Sequence, residues 1–140
     1  MRLTLEQDYA IRIVFELCNA KKRLDVKELS CLTGVTPLFT QKIMRKLNQK
    51  SLVESKKGVQ GGYVIALPPE KISLYDVFSA IDGDICINAC LSDNYTYTCT
   101  RPEVMNNSGN CYIQKIIKVI NDNFINALKS ESFDKLMNNI

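Results

Sequence analysis

Residues 25–49 read DVKELSCLTGVTPLFTQKIMRKLNQ, and this stretch decides the fold. Asp25 and Glu28 have the spacing of a capping box, which predicts the start of a short helix. Gly34 interrupts that helix, and Pro37 predicts the first position of a second helix, because proline is favoured there. A short helix, a turn containing glycine and a second helix together form the helix-turn-helix pattern.

Segments on both sides of this pattern predict a mainly α fold with one small β-hairpin. Upstream, residues 4–20 carry apolar side chains at helical spacing. Downstream, residues 52–55 and 63–67 predict two strands around a glycine-rich turn, which is a wing directly after the helix-turn-helix. Residues 84–110 show no sustained period, and a long helix is predicted from about Cys111 to Lys129.

The chain is therefore expected to have three parts. They are a winged helix-turn-helix DNA-binding module over residues 1–83, a cysteine-containing loop over residues 84–110, and a long dimerisation helix with a short C-terminal helix over residues 111–140. Val119 and Ile125 lie outside the main apolar stripe of the long helix. Because one small domain has difficulty covering both surfaces, we expect a helix from a second copy to cover them.

Composition excludes several classes of protein. The chain has 140 residues, of which 46% are hydrophobic and 24% charged, as in one ordinary globular domain. It contains no histidine, so a Ser-His-Asp triad, a Cys-His pair and a Cys/His zinc finger are impossible within it. No catalytic motif and no site for a small organic substrate is evident, which predicts a non-enzyme. No apolar run reaches the roughly 18 residues of a membrane span, and no secretory leader is recognisable, which predicts a cytoplasmic protein without a membrane partner.

Charge is distributed unevenly along the chain. Residues 1–71 hold 13 Lys/Arg and 7 Asp/Glu, a net charge of +6, whereas residues 72–140 hold 5 and 8, a net charge of −3. Between Lys42 and Lys57 there are six positive residues and one negative residue. Because neutralised phosphates supply most non-specific affinity for DNA, this clustering predicts binding to double-stranded DNA.

The predicted contacts to DNA lie on the second helix of the motif and on the wing, with Phe39, Ile43 and Leu47 packing inward. The polar and charged side chains of this set are suited to bind phosphates and base edges, and the glycines allow the backbone to approach DNA closely. The set is Thr36, Thr40, Gln41, Lys42, Arg45, Lys46 and Gln49 on the helix, and Lys56, Lys57, Gly58, Gln60, Gly61, Gly62 and Tyr63 on the wing.

Five of the six cysteines fall into two groups. Cys18 and Cys31 lie in helical segments and are interpreted as buried structural thiols. Cys90, Cys99 and Cys111 lie in or beside a polar, aperiodic stretch, where burial among apolar neighbours does not explain them. Thiolates in a loop suit soft metals and iron–sulfur clusters, although three unrelated buried thiols remain the alternative interpretation.

The chain resembles a bacterial family at several places along its length. The motifs are Met1-Arg2-Leu3-Thr4 with Asp8-Tyr9-Ala10, Gly61-Gly62-Tyr63, Ile72-Ser73-Leu74-Tyr75-Asp76-Val77 and Ile87-Asn88-Ala89-Cys90-Leu91. Together they resemble the winged-helix regulators of the Rrf family, of the IscR, NsrR and RirA type. The resemblance implies a homodimeric transcription factor with one iron–sulfur cluster per subunit, held by the loop cysteines near the dimerisation helix.

The resemblance also implies the ligands. Cys90, Cys99 and Cys111 match the three cysteines of the family. IscR-like members use a histidine three residues after the third cysteine, where this chain has Gln114, and NsrR-like members use an aspartate from the first helix of the other subunit, where it has Asp8. We therefore favour an NsrR-like 4Fe–4S cluster over 2Fe–2S, with Asp8 supplied by the other subunit. Cys86 and Gln114 are rival fourth ligands, and Asp8 has a simpler role as an acid at a helix start.

The leading hypothesis is a repressor that reads a palindromic operator with half-sites about one helical turn apart. Its cluster would sense iron, redox state or nitric oxide. A second hypothesis keeps the fold and replaces the cluster with oxidation of the loop thiols. A third is an iron–sulfur electron-transfer or accessory protein, which would leave the basic helix-turn-helix unexplained.

Overall fold

The computed structural model describes residues 2–93 and 111–139. The helices and strands, in chain order, are α1 (Leu5–Asn19), α2 (Val26–Thr33), α3 (Pro37–Gln49), β1 (Val53–Lys56), β2 (Gly62–Ile65), α4 (Leu74–Asp82), α5 (Tyr112–Ser130) and α6 (Phe133–Asn138). Short 3-10 turns cover Pro69–Lys71 and Ala89–Leu91. The prediction of a mainly α fold with one hairpin is confirmed.

The ends of the first three helices follow from their capping residues. Thr4 forms a capping box that starts α1, and the predicted capping box of Asp25 and Glu28 starts α2. Gly34 ends α2 in the left-handed conformation, with φ of 71°, which glycine adopts without steric cost. The hydroxyl of Thr36 accepts a hydrogen bond from the Phe39 amide and caps α3. The helix-turn-helix is therefore built by local hydrogen bonds.

The core forms around one face of α1. Ala10, Ile13, Val14 and Leu17 lie on this face and are at most 1% exposed. Helices α2, α3 and α4 and strand β2 all contact α1. Their buried side chains in the same cluster include Leu29, Ile43, Met44, Leu47, Val77 and Ile81. α1 is thus the element against which the DNA-binding module is assembled.

The wing is a two-stranded antiparallel hairpin docked on the segment before α2. Val53 pairs with Ile65 and Lys56 with Gly62, so the strands are each displaced by one residue from the predicted starts. The amide of Leu24 donates to the Tyr63 carbonyl at 3.0 Å, and the Tyr63 amide donates to the Leu24 carbonyl at 2.8 Å. These two bonds fix strand β2 of the wing to the residue that precedes the helix-turn-helix.

The C-terminal helix returns to this core. Phe133, the first residue of α6, is fully buried, and its amide donates to the Ile72 carbonyl at 2.9 Å. The Leu74 amide donates to the Glu131 carbonyl at 2.9 Å, which ties the start of α4 to the end of α5. The boundaries predicted at residues 83 and 110 stay predictions.

Helix α5 exposes an apolar face. Ile113, Ile116, Val119 and Ile120 are between 50% and 68% exposed, whereas Leu128, near the C-terminal end, is buried. Such a contiguous apolar patch on a small domain is typical of an interaction surface. Across residues 2–93 and 111–139, every helix is too short or too polar to cross a membrane.

Gly62 gives a first testable prediction about the wing. Its φ of 122° disfavours any side chain, and a Cβ atom there would lie 2.8 Å from the Leu24 carbonyl oxygen. Gly58 also has positive φ, 108°, but open space around its Cα. We expect Gly62→Ala to lower the free energy of unfolding by about 2 kcal/mol more than Gly58→Ala, measured by urea denaturation. Equal losses would show that the contact with Leu24 does not constrain residue 62.

Candidate DNA-binding face and cysteine loop

The outward face of α3 carries most of the predicted contacts to DNA. The side chains of Gln41, Lys42, Arg45 and Gln49 are exposed, as is Thr36 at the N-cap. They lie on the side of α3 opposite Ile43, Met44 and Leu47, which are fully buried. A helix in this position of a helix-turn-helix presents its exposed face to the major groove.

Two predictions about the faces of α3 are wrong. Thr40, predicted as a DNA contact, is fully buried, and its hydroxyl donates to the Val35 carbonyl at 3.5 Å. Phe39, predicted to pack inward, is 38% exposed and lies edge-on to Tyr9, with ring centroids 5.8 Å apart. Thr40 therefore belongs to the core of the helix-turn-helix, because its one polar group is satisfied inside the protein.

Lys46 is engaged within the protein. Its ammonium lies 2.8 Å from a carboxylate oxygen of Glu6 and donates to the Ile81 carbonyl at 2.9 Å. These bonds connect α3 to the first turn of α1 and to α4. Lys46 therefore has a structural role, and its contact with DNA stays a prediction.

Glu6 also pairs with Lys42, at 3.2 Å, but the Lys42 side chain is 56% exposed. The Glu6 side chain is only 18% exposed. The hydrogen bond from Lys46 is the main cause that holds the pKa of Glu6 below its usual value, against an opposing effect of burial. Glu6 is thus a charged link between α1 and α3 that the sequence pattern did not reveal.

The wing presents Lys56, Lys57, Gly58 and Gln60 to solvent. The remaining predicted wing residues are partly buried and have internal roles. The Gly61 amide donates to the Gly58 carbonyl at 2.9 Å, and Gly62 approaches the backbone of Leu24. Tyr63 pairs with Leu24 through its backbone, so the exposed hairpin tip is the part of the wing available to DNA.

The described beginning of the cysteine loop, residues 84–93, is held against α5 by two side chains. The side-chain nitrogen of Gln114 donates to the backbone carbonyl of Cys90 at 2.8 Å. The side-chain oxygen of Asn121 accepts from the backbone amide of Ile87 at 3.0 Å. Asn121 is 6% exposed, so its hydrogen bond avoids the cost of an unpaired buried amide. The segment from Ile87 to Cys90 therefore has a defined position on α5.

Two of the three predicted cluster thiols lie in the described residues. Cys90 is in the 3-10 turn and Cys111 is the residue before α5, and both are half-buried. Cys99 lies outside the described residues. Cys86, a rival ligand, is exposed. Within residues 2–93 and 111–139, no three His, Cys, Asp or Glu side chains are grouped as a metal site would require.

Asp8 lies in the first turn of α1 and pairs with Arg12 at 2.7 Å. The Asp8 side chain is 42% exposed, so it remains accessible to another molecule. The structure describes a single copy of the chain, and the role of Asp8 as a ligand from the other subunit stays a prediction.

The two helical cysteines differ from each other. Burial raises the pKa of the Cys18 thiol to about 12, as the interpretation of a structural thiol implies. Cys31 is exposed, so its interpretation as a buried thiol is wrong.

Comparisons with known proteins agree with this geometry. The family model described as Rrf2, iron-dependent transcriptional regulator, matches residues 3–139. YwgB of Bacillus subtilis (strain 168), which carries the name of an HTH-type transcriptional regulator, is 25% identical over 100% of this chain and 85% of its own length. Matches to several other relatives span 54–59% of those proteins.

Two solved structures have the same fold. The IscR of T. potens superimposes with a TM-score of 0.73, at 15% identity, over 99% of this chain and 88% of its own. CymR, described as the global cysteine regulator of B. subtilis, superimposes with a TM-score of 0.75, at 18% identity, over 100% of this chain and 98% of its own. The relatives are named as transcriptional regulators, so the chain is a DNA-binding protein and not an enzyme.

The contrast between Arg45 and Lys46 gives a second prediction. We expect Arg45→Ala to lower the slope of log affinity against log salt by about 1 on a mixed-sequence duplex, because one phosphate contact is lost. Lys46→Ala should leave this slope unchanged and lower the urea midpoint, since Lys46 bonds to Glu6 and Ile81. A reduced slope in Lys46→Ala would place its ammonium on DNA.

Proposed function

The chain belongs to the Rrf2 family of transcriptional regulators, and we propose that it is a homodimeric repressor controlled by an iron–sulfur cluster. The cluster would be held in the loop between α4 and α5. Each subunit would present α3 to the major groove of a palindromic operator and its hairpin tip to the adjacent minor groove. Binding to chromosomal DNA would place the protein in the cytoplasm.

The observation that carries the cluster proposal is the bond between Gln114 and Cys90. Gln114 lies one turn after Cys111, so its hydrogen bond to the Cys90 carbonyl brings the beginning of α5 to the 3-10 turn that contains Cys90. Two half-buried thiols are thereby held at the two ends of the segment that includes Cys99. Thiolate donors of this kind fit an iron–sulfur cluster.

The fourth ligand we propose is Asp8 of the other subunit. Gln114 would have to bind iron through its side-chain oxygen, a neutral donor and a poorer ligand than a carboxylate, while its side-chain nitrogen donates to the Cys90 carbonyl. Asp8 is accessible and carries a carboxylate, a hard and more labile donor than a thiolate. The resemblance to NsrR-like members implies that three cysteines and this aspartate hold a 4Fe–4S cluster, one per subunit, and we propose that it is sensitive to iron, redox state or nitric oxide.

The route from this site to DNA would run through α1. Asp8 and Glu6 lie in the same first turn of α1, and Glu6 holds Lys42 and Lys46 of α3. When bound, the cluster supplies a link between the subunits that depends on iron and redox state. A shift of the first turn of α1 would change the orientation of α3, because Glu6 joins the two helices through its ion pairs with Lys42 and Lys46.

Dimerisation is supported by the exposed apolar face of α5. Ile113, Ile116 and Ile120 recur at intervals of three and four residues and form one stripe. Burial of these three side chains and of Val119 by a second copy would remove a large apolar area from water. The dimer would also bring Asp8 of one subunit to the cysteines of the other.

A second candidate function is a metal-free thiol sensor. The similarity in fold to CymR and the exposed Cys86 four residues before Cys90 are consistent with it. In this case, an oxidant such as a peroxide would convert a loop thiol to a sulfenate or a disulfide.

Removal of the cluster tests the proposal. A duplex enriched from a random pool by the anaerobically purified dimer serves as the operator. We expect cluster-loaded and chelator-treated protein to differ by about 5- to 150-fold in affinity for it, because two coupled sites exchange this much free energy. The measurement is anaerobic fluorescence anisotropy.

Cysteine variants supply the control. Cys99→Ala should lose the visible iron–sulfur absorbance and the difference in affinity, whereas Cys31→Ala, an exposed cysteine on α2 outside the proposed ligand set, should keep both. Equal affinities of loaded and treated wild-type protein would contradict the sensor proposal. A colourless wild type whose affinity responds to peroxide would favour the thiol sensor.

A further inference from the structure

Leu38 is the most exposed large apolar side chain on the outward face of α3. Leu38, the second residue of the helix, is 77% exposed, the largest exposed fraction of any described leucine. An exposed leucine by itself needs no explanation. The position of Leu38 does need an explanation, because the first turn of α3 is the part of the helix expected nearest the base edges.

The neighbours of Leu38 point to a polyanion as its partner. Leu38, Gln41, Lys42 and Arg45 have the spacing i, i+3, i+4 and i+7, which places them on one helical face. Together with Phe39 they line a shallow open depression of about 360 Å³. Two cations and an amide beside the leucine disfavour an apolar protein partner and favour DNA.

The chemistry of the major groove contains one matching apolar group. Cations and the amide of this face are satisfied by phosphates and by base-edge donors and acceptors. Leu38 can form none of those bonds, and the only apolar group on a base edge there is the C5-methyl of thymine.

We infer that Leu38 is a specificity-determining residue that contacts a thymine methyl group in each half-site. The inference rests on the proposed entry of α3 into the major groove. It predicts an A·T pair at a defined position in each half-site, next to the bases or phosphates reached by Gln41 and Arg45. The DNA contacts predicted from the sequence do not include Leu38, because they are polar or charged side chains and glycines of the wing.

Replacement of thymine by uracil tests this contact without changing base pairing. The full-length protein selects duplexes from a random pool, and each dT of the enriched half-site is then replaced singly by dU, which lacks only the methyl group. We expect one position per half-site at which dU weakens wild-type binding about three- to fivefold, the worth of one buried methyl group. The same replacement should not change the affinity of Leu38→Ala.

Gln41→Ala is the matched control, because Gln41 lies on the same face and should leave the dU effect intact. Leu38 is highly exposed, so Leu38→Ala should keep the wild-type urea midpoint and dimer mass. Equal dU sensitivity in wild type and Leu38→Ala, or the absence of any sensitive dT, would overturn the inference. So would a loss of dimer mass in Leu38→Ala, which would assign Leu38 to a contact between copies. A wild type that enriches no duplex would instead refute the proposed function.

Discussion

Burial of one face of α1 is the constraint on which the rest of the structure depends. Ala10, Ile13, Val14 and Leu17 are removed from water by the helix-turn-helix on one side and by α4 on the other. Removing this much apolar area from water is the dominant stabilising term in a domain of this size. Because the buried face fixes the rotation of α1, it also fixes where the first turn points. Glu6 consequently reaches α3, and Asp8 remains accessible on the surface.

The second part of the molecule is positioned by polar contacts. Asn121 and Gln114 lie on α5 and bond to the backbone of the loop at Ile87 and Cys90. Ile113, Ile116, Val119 and Ile120 of α5 are left exposed, which leaves an apolar face for a second copy of the chain to cover. Because Ile87 and Cys90 bond to α5, the proposed cluster site lies beside the proposed dimer interface on that helix. Cluster binding and dimer geometry would then depend on each other, as reciprocal linkage requires.

Much of the fold could be predicted because its signals are local. The capping box at Asp25, the glycine at position 34 and the proline at position 37 depend only on neighbours in the chain. The placement of Thr40 is ambiguous in the sequence, because its spacing of three to Ile43 and seven to Leu47 fits the buried face of a helix, whereas its hydroxyl group fits the polar face. Only the tertiary structure shows that the Thr40 hydroxyl is satisfied by the Val35 carbonyl.

The candidate site is less predictable from the sequence, because its contacts also depend on the tertiary structure. Lys46 has the composition and position of a DNA contact, and its ion pair with Glu6, 40 positions away along the chain, has no signature in the sequence. Leu38 carries no polar group, so a search for side chains that bond to phosphates and base edges does not select it. The cysteine ligands came from a family resemblance, and the described residues add the position of Cys90 and Cys111 relative to α5.

Native mass spectrometry on protein made and kept without oxygen, with a visible spectrum of the same sample, tests the central claim most directly. We expect a dimer that carries two 4Fe–4S masses and absorbs in the visible range. A dimer with 2Fe–2S masses would contradict the assigned nuclearity and return Cys86 and Gln114 to consideration as fourth ligands. A colourless, metal-free dimer would contradict the cluster itself and leave thiol oxidation as the means of control.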